Sequence, residues 1–342
     1  MKYISICVLV LTSLFACKKV GTEGGAGTTD LAPTNLAVTA VINPDNSGNV
    51  TFTAAASNAI TFDYDFGNGT YQTVASGIVT YRYPSSGTYV VNVIAKSNGG
   101  QTISKTTSVI VTVTSSLSWS DEFNVDGAPD GAKWGYDLGA GGWGNNELEY
   151  YTNRTDNAYV SNGTLKIVAK KESFGGSNYT SARLTSYNKF SLKYGKLEIR
   201  AKLPVSAGTW PAIWTLGSDF STNTWPACGE MDIMEQTGAD KSRVLGTLHY
   251  PGHSGGNGDG GSTVVANATS EFHIYAIEWN SSSIKISVDG VVYKTVANSS
   301  TLPFNHNFFI ILNIAMGGSL GGSIDPNFTT NTMEIDYVRY YQ

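Results

Sequence analysis

The sequence predicts an all-β protein made of two sandwiches in series. Only 14% of its 342 residues are charged, while Gly (38) and Tyr (19) are abundant. That balance suits Gly-turned strands whose aromatic and β-branched residues fit pleated surfaces. Segments of strict apolar/polar alternation recur between turn signals, and no amphipathic stretch of ten residues with helical period interrupts them. The length exceeds one small domain and suits two. The formal net charge of -5 is spread without a block of like charge, which argues against nucleic acid as a partner. A neutral polysaccharide would need no electrostatic match.

The chain opens as a targeting segment. Met1 and Lys2 are a short positive start, and Ile4 to Ala16 is an apolar run too short to span a bilayer as a mature helix. The run ends in Leu14-Phe15-Ala16-Cys17, which resembles a bacterial lipobox; the alternative is an ordinary secretory signal with a chance cysteine. A lipobox implies that residues 1–16 are removed and that Cys17 carries acyl chains. With Lys18 and Lys19 these would anchor the protein to the outer membrane of a bacterial envelope, facing in or out. Cys228 is then the remaining thiol, so no intrachain disulfide forms, and it is expected to be buried as a small hydrophobe. Residues 17–31, rich in Gly and Thr, follow as a flexible tether.

Residues 32–114 carry short alternating segments such as Val50 to Ala54 and Tyr89 to Ala95, parted by turns at Pro44 to Gly48 and Asn98 to Gly100. Several strands in about 80 residues suggest a small β-sandwich. The stretches FDYDFGNG (Phe62 to Gly69) and YRYPSSGTY (Tyr81 to Tyr89) resemble the signatures of the polycystic-kidney-disease (PKD) domain. Tyr64 and Asn68 depart from the usual Trp and Asp of that motif. The resemblance implies an immunoglobulin-like module and leaves open whether it is a spacer or a glycan binder.

After a short linker, Val113 to Ser118, the composition shifts: all seven tryptophans lie between Trp119 and Trp279. Aromatic faces suit a sugar cleft, because pyranose C–H surfaces stack on them, although a large core also consumes Trp. In 118–342 the runs Lys196 to Leu203, Ser283 to Val288 and Thr332 to Tyr340 read as strands. Asp289-Gly290 marks a hairpin, since Gly accepts positive φ. One antiparallel sandwich of about 225 residues fits this pattern.

Chemistry concentrates in Gly229 to Gln236 (GEMDIMEQ). Strand alternation puts Glu230 and Asp232 on one face and Met231 in the core. Glu235 would then point the other way. A single bulge at the apolar pair Ile233-Met234 returns it to the face of Glu230 and Asp232, because a bulge adds one residue and resets the alternation. Three carboxyls crowded into a dry cleft would leave one protonated near neutral pH. One acid and one ionised carboxylate is what glycosidic cleavage needs. A solvated acidic strand or a metal site remains the alternative.

The E-x-D-x-x-E segment resembles the bulged active-site strand of glycoside hydrolase family 16. Other stretches match the family in order: Trp119 to Phe123, Gly141 to Tyr151, Tyr179 to Leu184, Thr209 to Trp214, Trp225 to Gly229, Gly246 to Tyr250 and Ile311 to Gly318. The resemblance implies a concanavalin-like β-jelly-roll and retaining, endo-acting hydrolysis without a catalytic cofactor. It implies Glu230 as nucleophile, Glu235 as acid and then base, and Asp232 as the group that orients the nucleophile and adjusts the charge between them. It further implies Trp210, Trp214 and Trp225 as cleft platforms, Asn146 and Arg183 as hydroxyl donors, and His249 near the leaving group. A structural Ca²⁺ on the convex face, held by the backbone carbonyls of Glu122 and Gly163 and by the Asp336 side chain, is implied on the same ground.

The stretches around Trp143 and Glu230 point to the laminarinase-like branch, so the expected substrate is β-1,3-glucan, mixed-linkage β-1,3/1,4-glucan, or both. Agar, porphyran or carrageenan is the alternative within the family; the loop Pro251 to Ser262 has no Lys or Arg to hold sulfate. A non-catalytic glycan-binding lipoprotein is the alternative outside it, but a binder has no need of Glu230 and Glu235 together. No feature calls for a second copy, so a monomer is expected.

Overall fold

The computed structural model describes residues 31–342. The signal segment, Cys17 and nearly all of the tether lie outside the described residues. Among the described residues strands dominate, and the longest helix is the four-residue turn Gly318–Gly321.

Residues 34–111 form two antiparallel sheets. One has three strands (Thr34–Ile42, Asn49–Ser57, Ile78–Arg82) and the other four (Tyr71–Val74, Thr61–Asp65, Gly87–Lys96, Thr102–Val111). The alternation seen in the sequence places Val50, Phe52, Tyr64, Val91 and Val93 between them, all buried. Phe66 and Tyr83 close this core, and the Tyr83 hydroxyl donates to the Phe66 carbonyl.

The rest of the chain builds a larger sandwich of a ten-stranded and a seven-stranded sheet with its own core. In the ten-stranded sheet, Gly195–Lys202 buries Leu197, Ile199 and Ala201 completely and turns Lys196, Glu198, Arg200 and Lys202 outward. The Asp289-Gly290 hairpin forms as expected: both residues have positive φ (50° and 78°), and Val288 pairs with Val291.

The seven-stranded sheet carries the acids. Its order is Asp259–Val264, Arg243–His249, Glu230–Gln236, Thr209–Gly217, Phe308–Met316, Arg183–Thr185, Gly135–Asp137. Phe308–Met316 is buried along its whole length, because one face meets the core and the other is roofed by cleft side chains. Cys228, just ahead of the acid strand, is buried; burial pushes its thiol up to about 11, which leaves no thiolate for chemistry at neutral pH.

Candidate active site

The acid strand bulges where its alternation breaks. Against the neighbouring strand, Met234 pairs with Ile213 and Asp232 with Trp214, so Ile233 is the extra residue. On the other side Asp232 pairs with Thr247 and Glu235 with Leu245, with the same irregularity between them. Met231, Ile233 and Met234 all enter the core. Glu230, Asp232 and Glu235 share the opposite, cleft face.

A tyrosine pins the bulge. The Tyr293 hydroxyl, from the opposing sheet, donates to the Ile233 carbonyl at 3.2 Å. This access depends on Gly246: a Cβ there would lie 2.6 Å from the Tyr293 hydroxyl and 2.9 Å from Ile286. Sixty residues separate Tyr293 from Ile233, so local patterning gives no sign of the bond.

Strand register assembles the cleft floor from distant segments. One row runs Asp137, Arg183, Asn313, Ala212, Glu235, and the next places Trp214 beside Asp232. Arg183 is ion-paired to Asp137 (3.0 Å), and its guanidinium lies 4.7 Å from the Trp214 ring and 4.6 Å from the Trp143 ring. The Trp214 indole donates to Asn313 Oδ1 (2.8 Å), Asn313 Nδ2 donates to the Tyr151 hydroxyl (3.0 Å), and Tyr151 donates to Glu147 (2.9 Å). Sequence reasoning singled out none of Asp137, Trp143, Glu147, Tyr151 or Asn313. Each stands inside or next to a stretch that carries the family resemblance, but its role depends on contacts across the sheet.

The expected binding residues divide. Trp225 is 46% exposed with its ring 5.9 Å from that of His249, so it has a free face for a sugar. Trp210 differs from expectation: it is only 7% exposed, and its indole donates to Glu235 Oε1 at 2.9 Å. It therefore holds an acid rather than offering a platform. Asn146 is exposed in left-handed backbone (φ 60°), while its neighbour Asn145 is the residue that donates to Glu147.

Strand register brings the expected calcium residues to one place on the outer sheet: Leu165 pairs with Ile335 and Asp121 with Val338 along the same strand, so Gly163, Glu122 and Asp336 are neighbours there. Glu122 is held by Arg339 through two bonds of 2.7 and 3.0 Å, and Asp336 is paired with Arg200 (2.5 Å). Gly163 sits in a hairpin turn with φ 71°. Arg200 thus holds the expected side-chain ligand, Asp336, while the Arg339 pairing engages the Glu122 carboxylate and not the backbone carbonyl through which Glu122 is expected to ligate.

Electrostatics set the cleft acids apart. Burial pushes Glu230 well above the usual carboxylate range; the Asp232 charge adds to this and His249 opposes it. Asp232 is raised by burial and then by Glu235. Glu235 is raised by burial, against the Trp210 hydrogen bond. His249 Nε2 lies 3.2 Å from Asp232 Oδ2 and 3.7 Å from Glu230 Oε1. Three crowded carboxyls with one nearby histidine disfavour full ionisation, which favours a proton on one of them.

The glycosyl hydrolases family 16 model matches residues 145–339. The chain belongs to this family. It is thus a glycoside hydrolase, and hydrolysis in family 16 needs no catalytic cofactor. A second model, beta-glucan synthesis-associated protein SKN1/KRE6/Sbg1, matches residues 50–226 and ends before the acid strand. The beta-glucanase of Rhodothermus marinus is 44% identical over 242 residues, covering 66% of this chain and 85% of that protein. LamA of Z. galactanivorans, solved as a variant with laminaritriose and laminaritetraose, is 46% identical, with a TM-score of 0.62 over 66% of this chain and 99% of that one, and the laminarinase of Rhodothermus marinus is 44% identical, with a TM-score of 0.65 over 67% and 98%. SCLam, a non-specific endo-β-1,3(4)-glucanase solved with a glucan oligosaccharide, is 40% identical, with a TM-score of 0.64 over 67% and 95%. The larger sandwich is accordingly the jelly-roll of family 16, with the acid strand in its seven-stranded sheet.

Proposed function

We propose that the chain is an endo-acting, retaining hydrolase of β-1,3-glucan that also cuts mixed-linkage β-1,3/1,4-glucan. One observation carries the reading: the bulge at Ile233 puts Glu230, Asp232 and Glu235 on one face, in register with Trp214, Arg183 and Asn313. The substrate class is that of the laminarinases and the β-1,3(4)-glucanase it is similar to.

In the proposed reaction the ionised Glu230 attacks the anomeric carbon. The glycosidic C–O bond breaks while Glu235 gives its proton to the leaving oxygen. Water then attacks the glycosyl ester, Glu235 takes a proton from it, and Glu230 leaves as carboxylate. The two displacements retain configuration. Asp232 holds a proton beside Glu230, which removes one repelling charge from the nucleophile. Trp225 and Trp214 stack sugar rings, Arg183 meets their hydroxyls, and His249 lines the cleft by Glu230.

Incubation with laminarin, barley mixed-linkage glucan, lichenan and agarose, followed by new reducing ends, tests the substrate. Release from both β-glucan types and none from agarose is expected. Release from agarose alone would mean a galactan enzyme, and none from any glucan would mean a binder.

Residues 32–114 are proposed to be a PKD-like domain between a lipid-anchored Cys17 and the catalytic domain 118–342, which works as a monomer at the cell envelope. Cys17→Ser should move the protein from the membrane to the soluble fraction of cells; retention at the membrane would remove the anchor from the proposal.

A further inference from the structure

We propose that Glu230, Asp232 and His249 form a site for a divalent first-row transition ion, with zinc as its probe, and that the ion blocks turnover. One donor atom each from Glu230, Asp232 and His249 lies within 4.8 Å of the other two. Ligand atoms about 2.0–2.1 Å from a tetrahedral ion stand about 3.3 Å apart. The separations from His249 Nε2 to the two carboxylates, 3.2 and 3.7 Å, bracket that spacing, and the two carboxylates, within 4.8 Å of each other, would draw together on the ion.

An independent observation points the same way. Asp232 is 4% exposed, yet its Oδ2 accepts no hydrogen bond, although His249 Nε2 is 3.2 Å away. The two are near enough to pair by charge but form no hydrogen bond. A metal suits the pair, because an ion shared by two ligands lies off the line joining them. A buried carboxyl oxygen without a partner is costly, and a cation that displaces the Asp232 proton would satisfy it.

The donor set chooses the metal class. One imidazole and two carboxylates suit zinc and its neighbours; calcium wants six to eight oxygens, and magnesium keeps its waters. Three protein ligands leave a fourth position open, and exposed Trp225 beside His249 gives access from the cleft. His249 Nδ1 is buried without a partner, so no carboxylate buttresses the ring, and affinity should be about 10–100-fold below that of a buttressed site. The blocking effect rests on Glu230 being the nucleophile, since a metal-bound carboxylate cannot attack. The binding itself does not rest on that reading.

Calorimetric titration of the full chain with ZnCl₂ should show one site per chain, and MgCl₂ should show none. Zinc affinity should fall at least ten-fold in His249→Gln and in Glu230→Gln, with circular dichroism showing both folded. X-ray absorption on the unsubstituted protein should find one imidazole nitrogen and carboxylate oxygens around the zinc, which covers the case of an unfolded variant. Zinc should inhibit glucan hydrolysis, and EDTA should restore it. No zinc binding, or equal binding by both variants, would overturn the site. Zinc bound there with turnover unchanged would overturn the block. Zinc bound there in a protein inactive on every glucan would leave the site standing and remove the proposed function instead.

Discussion

Acids on the two faces of the larger sandwich meet opposite fates. On the outer sheet three of them have a cation: Glu334 has Lys202 (2.7 Å), Asp336 has Arg200 and Glu122 has Arg339. Hydrogen bonding to Arg339 holds Glu122 below the usual carboxylate range. In the cleft, Asp232 and Glu235 are buried and Glu230 half-buried, with His249 the nearest basic group, and all three are pushed up. Similar alternation thus produces quiet, paired surface acids in one sheet and reactive, proton-holding acids in the other. The difference lies in burial and in who sits across the strand, not in residue type.

The comparison breaks most visibly at the chemistry. Glu230→Gln should lower kcat by about 10⁴-fold or more, as nucleophile loss does elsewhere, with the melting temperature kept. Glu235→Gln should cost about 10²–10⁴-fold and flatten the alkaline limb of the pH–rate profile. Rates near those of the unsubstituted protein would undo the assignment of roles.

Trp210→Phe sharpens it. Losing the indole donor removes the one hydrogen bond that favours ionised Glu235, so the alkaline limb should move to higher pH. A hydrogen bond to a charged group is worth about 1.5–3 kcal/mol, so turnover should fall roughly ten- to a hundred-fold. A limb that stays in place would return Trp210 to a packing role.

The two faces should also differ in how stability follows pH. Asp232 is raised when folded, so its burial costs nothing below the ordinary value of 3.8 and costs stability as pH rises through its folded value. Asp232→Asn should therefore melt several degrees higher than the unsubstituted protein at neutral pH, with the gap closing in acid. Glu122 behaves oppositely: its contribution is present above 4.5 and is lost as pH falls through its lowered folded value. Half-exposed, it should be worth under about 1 kcal/mol, so Glu122→Gln should lower the melting temperature slightly at neutral pH and not at all in acid. Opposite signs in the two melts would support the comparison; equal signs would end it.

Between these in size stands the bulge. Tyr293→Phe leaves the Ile233 carbonyl without a donor in the interior and should cost about 1–3 kcal/mol of stability. If the bulge relaxes as well, kcat falls with it.

Much of this was legible in advance, for local reasons. The outward Lys196, Glu198, Arg200 and Lys202, the Asp289-Gly290 turn and the burial of Cys228 follow from period-two alternation, from a residue that accepts positive φ and from an unpaired thiol. The break at Ile233-Met234 was legible too, because three acids cannot share a face without it. Trp210 was not: a platform and a buried donor look alike in a sequence. The Asp336–Arg200 pair joins residues 136 positions apart, and no local pattern announces it.

By itself, then, the sequence determined the strands, their inward faces and the need for one bulge in the acid strand, since these depend on neighbours two or three residues away. Only the tertiary structure decided which acids found a cation. Arg339 reaches Glu122, Tyr293 reaches the bulge and Trp210 reaches Glu235 across strand pairings between distant segments. Those pairings fix burial and charge, and burial and charge separate a surface carboxylate from one that can hold a proton at neutral pH.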